Sequence, residues 1–163
     1  IMVLALQIGL IMLLWMICWQ DCRERQVYLL YFMTAGLLFV SINLQIRHGL
    51  EYLFSTALNL LLDLSMVLVL WAWIKLVRKN ALRSSIGTGD LLFFVLLCLG
   101  LPSYEFIILF CFSLVFSLVI YLLIKSKLSE KTIPLAGFQA LFFSVMLPLY
   151  WWNLIQPFKT LLS

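Results

Sequence analysis

The sequence predicts an all-α, polytopic membrane protein in which residues 1–163 form a single domain of six transmembrane helices. Its composition supports this prediction, because hydrophobic residues make up 65% of the chain and charged residues only 11%, against roughly a quarter in soluble domains. Apolar runs near the ~20 residues that cross a bilayer also recur along the chain. Only short polar loops separate them, so we expect no second domain.

Six apolar segments account for the predicted spans. The expected helices cover about Met2–Trp19, Val27–Leu44, Glu51–Val77, Asp90–Leu101, Tyr104–Ile124 and Ile133–Trp151. The fourth is short and reaches only ~20 Å at 1.5 Å per residue. We therefore expect either that the bilayer is thinner around it or that neighbouring helices shield it.

The distribution of basic residues predicts the orientation of the helices. With six spans, the loops after the first, third and fifth helices share one side and contain nine of the 11 Lys and Arg residues. These nine are Arg23, Arg25, Lys75, Arg78, Lys79, Arg83, Lys125, Lys127 and Lys131. The positive-inside rule places this side in the cytoplasm and both termini outside. A re-entrant fourth helix would weaken the bias. Basic residues in short loops suit membrane orientation, and we expect no nucleic-acid binding.

Two carboxylates are expected at this cytoplasmic face. Asp21 closes the first helix, and Asp90 opens the fourth directly after Gly87, Thr88 and Gly89. A charged residue at the edge of an apolar segment is costly unless it is paired or functional. Two carboxylates at matching depth can form a dyad in which one activates water and the other donates a proton to a scissile carbonyl. The two glycines would permit positive φ angles and close approach of a peptide.

Each aspartate also has a structural alternative. Asp21 is spaced to pair with Arg25 in a solvated loop, and Asp90 is placed to cap the N-terminus of the fourth helix. In a dyad, the helix dipoles favour Asp90 as the base, at a helix N-terminus, and Asp21 as the acid, at a helix C-terminus. Arg23 and Arg25 oppose this assignment of Asp21.

The remaining polar residues predict no further catalytic group. Asp63 lies inside the third helix, one turn from Asn59 and ~20 Å from its cytoplasmic end. We expect it to be a protonated acid that hydrogen-bonds between helices, with a proton or ion path as the alternative. His48 has no second ligand nearby, and the four cysteines form no CxxC pair. We therefore expect no metal and no cofactor.

The motifs around the two aspartates resemble those of a known family. Gly87-Thr88-Gly89-Asp90 resembles the GxGD motif of intramembrane aspartyl proteases. Together with Asp21-Cys22-Arg23-Glu24-Arg25-Gln26-Val27, it is similar more specifically to prepilin peptidases, the type IV leader peptidases. In that family the first aspartate ends a helix and precedes a basic loop. Lys131-Thr132-Ile133-Pro134, followed by Leu135-Ala136-Gly137, resembles the Ile-Pro start of the family's last core helix. The resemblance extends over essentially the whole chain.

The resemblance implies a function and a location. It implies an aspartyl endopeptidase of the bacterial inner membrane that removes the leader from type IV prepilin or pseudopilin-like precursors. Cleavage would occur at the cytoplasmic face through Asp21 and Asp90. Many members also methylate the new N-terminus and carry a domain with paired CxxC motifs, which this sequence does not contain. The resemblance therefore implies a peptidase-only form that needs no methyl donor.

Two other functions remain open. Tyr28 and Leu29 stand where the family has Pro-Asn, and Leu92 stands near its lysine. A catalytically inactive scaffold that binds prepilin-like helices is therefore one alternative. A small ion or solute transporter that uses Asp63 is the other, although no internal repeat supports it.

Overall fold

The computed structural model of the protein describes residues 2–24, 26–77, 87–124 and 134–152. These residues form six helices with short connections and contain no strand, which confirms the predicted all-α class for the described residues. The helices are α1 (Met2–Glu24), α2 (Leu29–Ile46), α3 (Gly49–Val77), α4 (Thr88–Gly100), α5 (Ser103–Ile124) and α6 (Leu135–Trp151).

Four of these helices are long and apolar enough to cross a membrane, namely α1, α2, α3 and α5. The other two are apolar but shorter, with 13 residues in α4 and 17 in α6. At 1.5 Å per residue they reach ~20 Å and ~26 Å, less than the ~30 Å hydrocarbon core of a typical bilayer. That α4 and α6 also span the membrane stays a prediction.

The first helix is longer than the sequence indicates. It continues past Trp19 to Glu24, so Asp21 lies in its last turn rather than after its end. Gln20 explains why polar residues remain helical here. Its Nε2 donates to Glu24 Oε2 (3.3 Å), and its Oε1 accepts from the backbone nitrogen of Tyr28 (3.3 Å). Because these bonds satisfy Gln20 near the end of the bundle, the helix does not have to stop where the apolar sequence stops.

Successive helices run in opposite directions. The C-terminal end of α1 and the N-terminal end of α4 both contact the start of α6. The opposite end of α4 contacts Asn43, near the end of α2, and Tyr52, near the start of α3. This alternation is the one that six spans require. Of the nine basic residues that predict the cytoplasmic side, Arg23 and Lys75 lie in the last turns of α1 and α3. The other seven (Arg25 and those in 78–86 and 125–133) lie outside the described residues.

The C-terminal end of α4 is capped by side chains from two neighbouring helices, α2 and α3. Asn43 donates to the carbonyl of Gly100 (3.2 Å), and the Tyr52 hydroxyl donates to that of Leu99 (3.2 Å). Asn59 donates to the carbonyls of Leu101 (2.8 Å) and Cys98 (3.3 Å). The last carbonyls of a helix have no intrahelical donor and are costly to bury unpaired in an apolar medium. Of the two expectations for this short helix, the structure supports shielding by its neighbours.

Close packing fixes α4 at the centre of the bundle. The Phe94 ring packs edge-on against Phe110 of α5, with 5.0 Å between ring centroids, and Phe93 contacts Phe143 of α6. At Gly100, an added Cβ would lie 2.5 Å from the Phe39 ring of α2. Three neighbouring helices, α2, α5 and α6, therefore hold the helix that carries Asp90 in place.

Candidate active site

The candidate site is built at the start of α6. Pro134 precedes the helix, and its carbonyl accepts the first helical bond from Phe138 (3.1 Å). The amides of the first helical turn have no intrahelical acceptor, so those of Ala136 and Gly137 can donate to groups outside the helix. A helix N-terminus with free amides favours anionic partners.

Both predicted catalytic residues bond to these two amides. Asp90 Oδ1 accepts from the backbone nitrogen of Ala136 (2.8 Å), and Asp21 Oδ2 accepts from that of Gly137 (2.6 Å). Since successive backbone nitrogens are less than ~4 Å apart, the two bonded oxygens lie within about 9 Å of each other. The structure therefore brings together the two aspartates that the sequence analysis paired.

The approach of α1 to α6 depends on Gly137. A Cβ at this position would lie 3.0 Å from Asp21 Oδ2, 3.1 Å from Asp21 Cβ and 3.3 Å from the backbone oxygen of Cys18. Small residues let helix backbones approach closely in membranes. In the sequence, Gly137 stands out only as part of the family resemblance, which gives no indication of this steric role. A pair of small residues, Ala136-Gly137, one residue after the proline that precedes α6 was the available signal.

The surroundings of Asp90 correct two expectations. Gly87, not Asp90, is the N-cap residue of α4, and it makes no side-chain cap bond. Gly87 has φ −70°, and neither it nor Gly89 has a positive φ angle, so positive φ is not the reason for these glycines. A Cβ at Gly87 would lie 3.0 Å from Asp90 Oδ2, whereas one at Gly89 would meet nothing within 4 Å. Gly87 therefore makes room for the carboxylate, and Gly89 borders open space beside the exposed Thr88.

The two carboxylates differ in burial and in local field. Asp21 is only 8% exposed, while Asp90 is half-buried. Asp90 lies in the first turn of α4 and bonds to the first turn of α6, so the positive ends of two helices face it. Asp21 bonds to α6 but lies in the last turn of α1, whose negative end opposes that field. Asp90 is thus the more accessible carboxylate, and the helix dipoles taken alone favour its anion more than that of Asp21.

The other residues singled out in the sequence do not join this site. Asp63 is buried in the middle of α3, and Asn59, its neighbour one turn away, bonds to the opposite end of α4. His48 is exposed, as are Tyr28, Leu29 and Leu92. Within the described ranges, no group of three or more His, Cys, Asp or Glu residues could hold a metal ion.

Known proteins offer no independent assignment for this site. No family model, no curated protein and no solved structure matches the chain. The functional interpretation therefore depends on the geometry of Asp21, Asp90 and the first turn of α6.

Proposed function

We propose that the protein is a membrane aspartyl endopeptidase that cleaves the leader of type IV prepilin-like precursors at the cytoplasmic face through Asp21 and Asp90. One observation carries the proposal: carboxylates from α1 and α4 accept hydrogen bonds from two successive amides at the start of α6. Holding two acids together in an apolar bundle is expensive, and such pairs mark functional sites more often than structural ones. The resemblance to prepilin peptidases supplies the substrate class.

In the proposed mechanism the two aspartates have separate tasks. Asp90, more accessible and with its anion more favoured by the helix dipoles, takes a proton from water as the oxygen attacks the scissile carbonyl carbon. Asp21, buried and protonated, gives its proton to the carbonyl oxygen, which yields a neutral tetrahedral diol. When the C–N bond breaks, Asp90 passes its proton to the leaving nitrogen and Asp21 recovers one from the diol.

The first turn of α6 orients both acids without taking part in proton transfer. Each amide bond is made to one oxygen of its carboxylate, Asp90 Oδ1 or Asp21 Oδ2, and these bonds fix the direction in which each acid points. The open space at Gly89 and the exposed Thr88 mark the side from which an extended peptide segment can reach Asp90. A precursor whose apolar helix lies in the bilayer would present its leader junction at this depth.

A second candidate function is a catalytically inactive scaffold that binds prepilin-like helices. It is favoured by the same two hydrogen bonds, because a carboxylate that caps a helix N-terminus can serve stability alone. The two candidate functions predict different effects when each aspartate is replaced by asparagine. Asn retains an oxygen acceptor for the α6 amide, but it can neither take up nor donate the catalytic proton.

The test compares cleavage and stability in the same variants. A purified pilin-like precursor is reconstituted in lipid vesicles with wild type, Asp21→Asn or Asp90→Asn, and leader release is followed by mass spectrometry. For an endopeptidase, both variants lose at least ~1,000-fold in cleavage rate while the melting temperature changes little. Glu51→Gln, an exposed carboxylate in the first turn of α3, is the matched control. Absence of cleavage by wild type, together with retained precursor binding, would instead favour the scaffold.

A further inference from the structure

A second polar group in the bundle, separate from the two catalytic carboxylates, has unpaired acceptors. Asn59 and Asp63 lie one turn apart on α3, with exposed fractions of 0% and 6%. Asn59 Oδ1 and Asp63 Oδ1 are both fully enclosed, and neither has a hydrogen-bond partner among the described residues. A buried acceptor without a donor costs roughly 1–3 kcal/mol, so two neighbouring ones indicate a missing donor.

The position of Asp63 makes an ionised carboxylate without a counter-charge especially costly in free energy. Residue 63 lies midway between the ends of α3 at 49 and 77, roughly 21 Å from each at 1.5 Å per residue. The only basic residue of α3 is Lys75, twelve residues and ~18 Å further along the helix. The neighbouring helices α2, α4 and α5 contain no Lys, Arg or His. No protein cation among these helices is therefore available to pair with Asp63.

The titratable groups on the surrounding helices α2, α4 and α5 are carboxylic acids, thiols and phenols, and none is a cation. The buried Cys98 thiol of α4 faces Asp63. The acids of the neighbouring helices, Asp90 on α4 and Glu105 on α5, lie in the first turns of those helices. A thiol is a weak donor, and Asp63 Oδ1 has no hydrogen-bond partner among the described residues, so it has neither a strong donor nor a counter-charge there.

We propose that Asp63 is a proton-binding site in the middle of the bundle, a neutral acid whose hydroxyl donates to Asn59 Oδ1. Residues four apart on a helix are neighbours, which places the two side chains within reach. One proton then supplies the missing donor and removes the buried charge. A metal cation would need several more oxygen ligands, and the carbonyls of Cys98 and Leu101 already accept from Asn59.

This hydrogen bond would fix the orientation of the Asn59 side-chain amide, which caps the C-terminal end of α4. Asn59 can donate to Cys98 and Leu101 only if its amide nitrogen points at α4. A donor at Asn59 Oδ1 holds the amide in that orientation and prevents a flip that would place its oxygen against two carbonyls. Asp63 would thereby act as a positioning residue for α4, independently of whether the protein is a peptidase.

The first test is the infrared difference spectrum of wild type minus Asp63→Asn in lipid vesicles near neutral pH. We expect wild type to show the carbonyl stretch of a protonated carboxylic acid that the variant lacks. If the Asp63→Asn substitution instead removes the bands of an ionised carboxylate, the proposal is overturned. A melting temperature raised specifically by Na⁺ over choline in wild type, and not in Asp63→Asn, would likewise overturn it in favour of a cation site.

The second test separates the hydrogen bond from mere occupancy of space. Asp63→Asn keeps an N–H that can donate to Asn59 Oδ1, whereas Asp63→Leu removes the donor at similar volume. We expect a melting temperature close to wild type for Asp63→Asn and one lower by roughly 5 °C for Asp63→Leu. Ser65→Ala, at an exposed position of α3, is the control. Equal stability of the Asn and Leu variants would contradict the bond, and the infrared result stands even if Asp63→Leu fails to fold.

Discussion

Replacing Gly137 with alanine tests whether the contact between α1 and α6 sets the geometry of the site. The added methyl would lie 3.0 Å and 3.1 Å from the Oδ2 and Cβ atoms of Asp21 and 3.3 Å from the backbone oxygen of Cys18. A side-chain oxygen can rotate away, but Asp21 Cβ and the Cys18 carbonyl move only with α1. We therefore expect the helices to separate by several tenths of an ångström and the 2.6 Å bond from Gly137 to Asp21 to weaken.

Three contributions set the expected size of the change in stability. Overpacking costs about 1–3 kcal/mol, and weakening the hydrogen bond to the protonated Asp21 costs up to about 0.5–1.5 kcal/mol. Alanine recovers about 1 kcal/mol through its higher helix propensity. A net loss near 2 kcal/mol lowers the melting temperature of a chain of this length by roughly 4–8 °C. Because a misplaced catalytic group can cost up to about 100-fold, we expect the cleavage rate to fall by roughly 10- to 100-fold.

Gly9→Ala supplies the matched control. Gly9 lies within α1, and a Cβ there would meet only Leu38 Cδ1, at an ordinary 3.6 Å. Both variants gain the same helix propensity, so the difference between them isolates the contact with Asp21. Thermal unfolding and precursor cleavage are measured on both proteins in the same lipid. If Gly137→Ala cleaves as fast as Gly9→Ala and melts at the same temperature, the close approach at Gly137 does not position Asp21.

Three further substitutions test other parts of the structure. Asn59→Leu leaves two carbonyls at the end of α4 unpaired and should destabilise the protein by roughly 2–4 kcal/mol in chemical denaturation, whereas an unchanged midpoint would contradict the capping role. Gly100→Ala places a methyl 2.5 Å from the Phe39 ring and should cost about 1–3 kcal/mol, which Phe39→Leu should partly restore. Gly87→Ala meets only the movable end of Asp90, so the cleavage rate should fall more than the melting temperature does; the reverse pattern would argue against a role at the site.

The pairing of Asp21 with Asp90 could be predicted from the sequence because it depends on local signals. Apolar runs give the helix count, and alternating directions place the end of α1 and the start of α4 at one face. The structure agrees, because both carboxylates accept hydrogen bonds from the first turn of α6. The resemblance also singled out Pro134 and the residues after it, which form the first turn of α6.

The sequence did not reveal features that depend on contacts between distant segments. The extension of α1 to Glu24 follows from the bonds of Gln20, which the apolar pattern does not encode. The cap on α4 draws Asn43 from one helix and Tyr52 from another, and no spacing rule links them. The steric reason for Gly137 likewise exists only where α1 meets α6.

The proposed function requires that Asp90 performs chemistry and does not merely cap α6. The most direct measurement is the single-turnover cleavage rate of a pilin-like precursor by Asp90→Asn, on protein that melts within about 2 °C of wild type. Asn can accept the amide hydrogen of Ala136 as Asp90 does, so the cap persists while the base is lost. We predict a rate at least ~1,000-fold below wild type. Cleavage within about tenfold of the wild-type rate would contradict the dyad and leave Asp90 a structural cap.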